Sequence, residues 1–220
     1  MKPYLPFIIV ILVALLMLGG GTFLYRSKLS TNAGPKVSKP EAEPSGTLVH
    51  AVGPANAPVT LEEFGDFQCP PCGKLSEPIN QLQKQYNLRV IYRQFPLAVH
   101  KNAKDAAYAA EAAGRQGRFW QMHDLLFREQ AVWSQSTDAR ALFSAYAGML
   151  QLDLNRFKQD MESGEVQQQV EVDQHRGAAI GVKNTPTIFL NNEAIPPDQL
   201  NPSLLPGVVE AALKKSKPSS

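Results

Sequence analysis

The sequence of 220 residues predicts an α/β domain that follows an N-terminal membrane segment. Two observations lead to this prediction. One is an uncharged apolar run near the N-terminus. The other is a strand–helix–strand pattern, then a long helical block, then two strands and a last helix. Hydrophobic residues make up 44% of the chain and charged residues 19%, so a core can be buried and global disorder is excluded.

The N-terminal 26 residues are predicted to form a signal-anchor. Residues 5–25 carry no charge, and as a helix they would reach about 30 Å, the thickness of a bilayer core. No peptidase site of the A-x-A type is evident, which favours a retained anchor over a cleaved signal peptide. Residues 27–47 are rich in proline and polar residues and predict a flexible linker. Residues 216–220 are predicted to be a frayed tail.

Charge excludes one class of partner. Beyond residue 47 the chain holds 17 Lys and Arg against 18 Asp and Glu, so it lacks the basic excess of a nucleic-acid binder. Basic residues are also more numerous after the apolar run than before it, and the positive-inside rule alone would keep the following domain in the cytoplasm.

The domain is predicted to span residues 48–215, and its elements follow from hydrophobic periodicity. Alternation predicts a strand over 59–67, helical spacing predicts a helix over 73–85, and a second strand covers 88–95. Strand, helix and strand at this spacing predict a parallel βαβ unit. The later elements are helices near 103–113, 119–127, 139–150, 155–163 and 166–180, a hairpin of strands 185–190 and 193–195, and a helix over 203–215.

The chain has two cysteines, Cys69 and Cys72, in a C-x-x-C arrangement. A structural disulfide closing so short a loop would contribute only about 2 kcal/mol. A zinc site needs about four ligands, and the four histidines show no paired spacing. Haem attachment requires histidine next, where the chain has Gly73. Thiol–disulfide exchange is therefore the favoured chemistry.

The order of strand, C-x-x-C and helix suggests a role for each sulfur. Cys69 lies at the helix start, where unsatisfied N–H groups and the helix dipole stabilise a thiolate, so we expect it to be the exposed nucleophile. Cys72 lies one turn further in and would resolve the mixed disulfide. Pro70 and Pro71 stiffen the loop and remove two N–H donors.

Several segments resemble the DsbA-like branch of the thioredoxin superfamily. They are EFGDFQCPPC at 63–72, RQFPL at 93–97, GRFWQMHDLLF at 117–127 and GVKNTPT at 181–187. The resemblance covers roughly residues 48–215 and is closest to membrane-anchored or secreted bacterial members. It implies a thioredoxin fold with a helical domain inserted at about 98–165.

The resemblance also implies three further site residues. Pro186, preceded by Thr185, occupies the place of a cis-proline that lies against the active-site sulfurs. Glu63 takes the place of a buried acid that helps to move the proton of Cys72. Pro71 stands where DsbA-type oxidases commonly carry histidine, so the direction of exchange stays open. No cofactor and no metal are expected.

These observations favour a membrane-tethered thiol–disulfide oxidoreductase outside the cytoplasm, in the periplasm or at the cell surface. It would form disulfides in exported proteins and exchange electrons with a membrane redox partner. A redox-active pair suits an oxidising compartment, and large domains are translocated largely regardless of charge. Three alternatives remain: a reductase or isomerase kept reduced by a membrane partner, a module that handles a soft metal such as copper, and an interaction domain with inert cysteines.

Overall fold

The computed structural model describes residues 49–216, which form a five-stranded mixed sheet packed against helices. The strands are β1 (His50–Val52), β2 (Thr60–Gly65), β3 (Arg89–Gln94), β4 (Thr187–Leu190) and β5 (Glu193–Ala194). The helices are α1 (Pro70–Tyr86), α2 (Ala103–Gly114), α3 (Phe119–Arg128), α4 (Gln130–Trp133), α5 (Ala139–Met149), α6 (Leu154–Met161), α7 (Gly164–Ala179) and α8 (Leu205–Ser216), with a 3₁₀ turn at Pro197–Gln199. The strand order is β1-β3-β2-β4-β5.

The predicted βαβ unit is confirmed, because β2 and β3 pair in parallel and α1 connects them. The helix begins at Pro70, not at Gly73 as its periodicity predicted. Proline suits the first helical positions because their N–H groups have no partner within the helix. The helix ends at Tyr86, and Asn87 follows in the left-handed conformation with φ of 52°.

An aliphatic core lies between α1, α8 and one face of the sheet. Burial of these side chains removes apolar surface from water and holds both helices against the strands. Leu75, Ile79 and Leu82 supply the α1 side at helical spacing. The other buried members are Val59, Leu61, Leu88, Val90, Ile188, Leu190, Ile195, Leu205 and Val209.

Helices α2 to α6 form the helical insertion between β3 and β4, within the range where the sequence predicted it. Alanines on α2 permit close packing of the neighbouring helices. Trp133, Phe143 and Phe157 are fully buried in this core. The Trp133 indole N–H donates to the Leu126 carbonyl at 2.7 Å, which fixes the short helix α4. Periodicity did not predict α4, because four residues carry no helical repeat.

Helix α7 lies beside β2 and β3 and is joined to them by buried charges. Arg93 donates to Glu62 at 2.8 Å and to Asp173 at 3.1 Å. Arg176 also donates to Glu62, at 3.2 Å. Arg93 and Asp173 are each 1% exposed, so each charge needs its partner in this low-dielectric interior.

Two strands differ from the sequence prediction. β1 was not predicted; it has three residues and pairs antiparallel with the edge of β3. β5 is shorter than predicted, because its ladder with β4 covers only Glu193 and Ala194. Within residues 49–216 no helix is long and apolar enough to cross a membrane. The predicted anchor, linker and tail residues 217–220 lie outside the described range.

The contact between α7 and β2 leads to a stability prediction. A Cβ at Gly177 would lie 2.8 Å from the Phe95 ring and 2.9 Å from the Phe64 ring. We therefore expect Gly177→Ala to lower the free energy of unfolding by about 1–3 kcal/mol through overpacking. Urea unfolding at neutral pH measures the change.

Gly148→Ala is the matched control, since Gly148 also lies in a helix and its nearest atom would be 3.9 Å away. This variant should equal the wild type or gain up to about 1 kcal/mol from helix propensity. Equal stability of Gly177→Ala and Gly148→Ala would contradict the packing described for α7.

Candidate active site

The two cysteines lie at the N-terminus of α1, and both are free thiols. Cys69 is the residue that precedes the helix, with an extended backbone of φ −73° and ψ 119°. Its carbonyl accepts the first helical hydrogen bond, from Gly73 N–H at 3.2 Å. Cys69 is 4% exposed and Cys72 is fully buried. The prediction of an exposed nucleophile is thus wrong in degree, although Cys69 remains the more accessible sulfur.

The two thiols differ in acidity, because their surroundings favour a thiolate at Cys69 and a protonated thiol at Cys72. The pKa of Cys69 is lowered to about 6, chiefly by a hydrogen bond from the Cys72 side chain, against the opposing effect of burial. The nearby Thr185 side chain and the Cys72 backbone N–H contribute to this lowering. Burial raises the pKa of Cys72 far above its ordinary value, and its hydrogen bond to Cys69 adds to the rise. Negative charge therefore settles on Cys69.

Thr185, which precedes Pro186, lies against the nucleophile. The peptide bond between them is cis. The Cys69 thiol donates to the Thr185 carbonyl at 3.2 Å, across 116 residues of sequence. The Thr185 hydroxyl is buried and has no hydrogen-bond partner within the described part of the chain, so it can donate to the sulfur once Cys69 is ionised. The loop that carries Cys69 and Cys72 thus lies beside the loop that carries Thr185 and Pro186.

Glu63 is buried on the strand that leads to the cysteines. It is 2% exposed, and its Oε1 atom has no hydrogen-bond partner among residues 49–216. Burial, together with the smaller effect of the negative charge of Cys69, raises the pKa of Glu63 to about 8. The charge of Glu63 in turn raises the pKa of Cys72. The carboxyl group is therefore within electrostatic reach of both sulfurs and largely protonated at neutral pH.

Tyr92 is a residue that the sequence analysis did not single out. It pairs in register with Glu63 across β2 and β3 and is 1% exposed, and no described residue is a hydrogen-bond partner of its hydroxyl. The hydroxyl lies over Gly65, where a Cβ would be 2.7 Å away. Burial raises the pKa of Tyr92 well above its ordinary value, with Glu63 and Cys72 as the next causes. Strand register was the signal that could have found this neighbour.

Asp66 was quoted in the motif but given no role. Its carboxylate accepts the N–H of Gln68 at 2.7 Å and the N–H of Leu97 at 2.9 Å. It also lies 2.7 Å from His100 Nδ1. Asp66 thus joins the loop before Cys69 to the loop after β3. An aspartate directly after a strand is a common signal for such a turn.

The histidines supply no metal centre in the part of the chain that the structure describes. No group of three or more His, Cys, Asp or Glu residues is arranged there to hold an ion. His123 is 3% exposed and packs against aromatic rings, including Phe67 at 5.6 Å and Tyr92 at 4.8 Å between ring centroids. Burial among these rings lowers the pKa of His123.

Comparison with known proteins places this site in a family. The family model described as Thioredoxin matches residues 46–205. The solved structure of oxidised BdbD from Bacillus subtilis is 25% identical with a TM-score of 0.65, and the match covers 74% of this chain and 92% of that one. A thioredoxin-like oxidoreductase from Silicibacter pomeroyi DSS-3 is 26% identical with a TM-score of 0.63, over 76% and 92% of the two chains.

A curated relative of another description shares the same region. The Na(+)/H(+) antiporter NhaA 1 of Salinispora arenicola is 41% identical over 144 residues, which are 64% of this chain and 21% of that protein. The chain spans about a fifth to a quarter of the length of the curated relatives that it matches. From the family model and the two solved structures, the chain belongs to the thioredoxin family, as its DsbA-like segments predicted.

Proposed function

We propose that the protein is a membrane-tethered oxidoreductase whose Cys69–Pro–Pro–Cys72 pair forms disulfides in exported proteins. The observation that carries the proposal is the opposite shift of the two thiol pKa values, downward at Cys69 and upward at Cys72. A sulfur that ionises near pH 6 is a good leaving group and is present as the thiolate at neutral pH.

The exchange follows from this asymmetry. In the oxidised enzyme a substrate thiolate attacks the Cys69 sulfur, and the bond to Cys72 breaks. Cys72 leaves as a thiolate and takes up a proton, because its buried site disfavours the charge. A second substrate thiolate then attacks the substrate sulfur of the mixed disulfide, and Cys69 leaves as a stable thiolate. The substrate loses two electrons, which remain on the reduced pair until an oxidant removes them.

Glu63 is the proposed proton donor for Cys72. Its pKa of about 8 keeps it protonated at neutral pH. When Glu63 is ionised, its negative charge raises the pKa of Cys72. A buried group poised near the working pH can both give and take back a proton. Thr185 and Pro186 are proposed to present the Cys69 sulfur to the substrate, since the Thr185 carbonyl already contacts it.

The tether and the compartment are inferred from sequence and chemistry. The uncharged run at 5–25 and the polar segment after it suit a signal-anchor and a linker. A disulfide-forming pair functions where disulfides persist, which favours the extracytoplasmic side. A membrane redox partner would then reoxidise Cys69 and Cys72. Reduction or isomerisation by the same pair is the alternative, with electrons flowing the other way.

Removal of the resolving sulfur should trap the intermediate. We expect Cys72→Ala to accumulate a stable mixed disulfide on Cys69 when it meets a disulfide-bonded model peptide, because nothing inside the enzyme can displace the peptide. Non-reducing electrophoresis and mass spectrometry detect the adduct. Cys69→Ala is the control and should form none. If Cys72→Ala forms no adduct with the peptide or with exported proteins, the assignment of Cys69 fails.

Glu63→Gln should slow exchange and stabilise the fold. Loss of the proton donor should reduce the rate at which Cys72 is released by roughly ten-fold or more at pH 7. The folded pKa of Glu63 is raised from 4.5 to about 8, so the ionised group opposes folding increasingly between those pH values. Its replacement should therefore raise the free energy of unfolding by about 2–4 kcal/mol at pH 8.

Stopped-flow kinetics measure the rate of exchange, and urea unfolding at pH 5 and pH 8 measures the free energy of unfolding. The gain in the free energy of unfolding should be larger at pH 8 than at pH 5. Glu77→Gln is the control, because Glu77 is an exposed glutamate on α1 and should change neither quantity. A stability gain without slower exchange would show that Glu63 is buried but takes no part in proton transfer.

The reduction potential decides the direction of exchange. The Cys69 pKa of about 6 lies between the values of about 7 for thioredoxin and about 3.5 for DsbA. We therefore expect a potential between about −270 mV and about −120 mV, the values of those two proteins. Equilibration with glutathione measures it. A potential at or below that of thioredoxin would favour the reductase alternative.

A further inference from the structure

The side chain of Gln130 reaches from the helical insertion to the active-site loop. Its Nε2 group donates to the Phe67 carbonyl at 2.6 Å and to the Cys69 carbonyl at 3.0 Å. One amide nitrogen with two hydrogens thus spans two carbonyls of the segment that carries the nucleophile. Because both acceptors are carbonyl oxygens, the amide group of Gln130 must be oriented with its nitrogen toward them.

Gly73 makes room for this contact. It lies within α1, where glycine weakens a helix because the unfolded chain has more freedom to lose. A Cβ at this position would lie 2.9 Å from Gln130 Oε1 and 3.2 Å from its amide carbon. The chain therefore has a poor helix former at a position where a Cβ would displace the Gln130 amide.

A second set of hydrogen bonds holds α4 beside the same loop. Gln68 donates through its side chain to the Ser134 carbonyl at 2.9 Å, and its Oε1 accepts the Asn102 N–H at 2.7 Å. The Asn102 amide donates to the Trp133 carbonyl at 3.2 Å. Gln130 is thus attached to a fixed element, which allows its amide to hold the loop in one geometry.

We propose that Gln130 is a positioning residue for the Cys69 nucleophile, through which the helical insertion sets the chemistry of the redox pair. The inference rests on the function proposed for Cys69. Gln130 does not touch the reacting sulfur. It acts through the backbone of Phe67 and Cys69, which directs the sulfur toward the start of α1.

Two physical effects of the Gln130 contact both lower the pKa of Cys69. Carbonyl oxygens near a thiolate repel its charge, and the Gln130 hydrogens offset the charge of two such oxygens. The contact also fixes the backbone of Cys69, so that its sulfur meets the donors from Cys72. Loss of the amide should therefore raise the pKa of Cys69. The reduced form would then be less favoured and the pair less oxidising.

The test compares two variants that break the contact from opposite sides. Gln130→Met removes both donors at similar volume, and Gly73→Ala displaces the amide while leaving it in the chain. Each should raise the pKa of Cys69 by about 0.5–1 unit, read from thiolate absorbance, and shift the glutathione equilibrium about three- to five-fold toward the disulfide at pH 7. Gln130→Glu, which places a carboxylate against the two carbonyls, should raise the pKa further.

The double variant distinguishes one contact from two separate effects. Gly73→Ala combined with Gln130→Met should shift the pKa no more than either change alone, because both remove the same interaction. Gly207→Ala is the matched helix control, since a Cβ there meets nothing within 4 Å, and it should leave the pKa unchanged. Additive shifts would overturn the proposal.

A purely structural role would alter the melting temperature and leave the acidity of Cys69 as in the wild type. Folded Gln130→Met and Gly73→Ala proteins with wild-type pKa and potential would thus also overturn the proposal. Failure of the proposed function looks different, because the wild type itself would then show neither a depressed Cys69 pKa nor exchange. Wild-type exchange with unresponsive variants identifies failure of the Gln130 assignment alone.

Discussion

The hydrogen bond between the two thiols at the start of α1 is the interaction on which the site depends. Cys72 is fully buried and Cys69 slightly exposed, so the proton stays on the inner sulfur and the charge settles on the outer one. Pro70 and Pro71 have no N–H groups, which leaves the Cys72 N–H as the first helical donor near the Cys69 sulfur. Two identical side chains therefore acquire different chemistry from the difference in their burial and in the hydrogen bonds that each receives.

Burial on both faces of β2 gives the site its second property. The strand lies between β3 and β4, and helices pack on either side of it. A carboxyl group placed there has no water to stabilise its charge, and Glu63 consequently holds its proton at neutral pH. Tyr92 beside it adds a neutral hydroxyl that has no hydrogen-bond partner among the described residues. In the proposed exchange the neutral Glu63 carboxyl gives its proton to the Cys72 thiolate, and the negative charge passes to the carboxylate.

Local patterns predicted the parts of the fold that depend on neighbouring residues. The strand, the C-x-x-C and the amphipathic helix adjoin in sequence, so their order placed Cys69 at a helix start. The position of Pro186 needed the family resemblance, since its loop meets Cys69 across more than a hundred residues. The strand β1 was not predicted, because three residues that pair only with the edge of β3 are too few to show an alternating pattern. No local pattern predicted the role of Gln130, because the carbonyls that it binds lie 63 and 61 residues away in the sequence.

Asp66 shows why geometry outweighs local electrostatics at this site. Its negative charge raises the pKa of Cys69, but this effect is smaller than those of the hydrogen bonds and of burial. Two N–H groups and His100 surround the carboxylate. In return, the carboxylate joins the loops on both sides of the nucleophile, and the Asp66 carbonyl accepts the Cys69 N–H at 3.0 Å. A neutral residue would spare the thiolate this repulsion, but it would leave the loop before Cys69 without its link to the loop after β3.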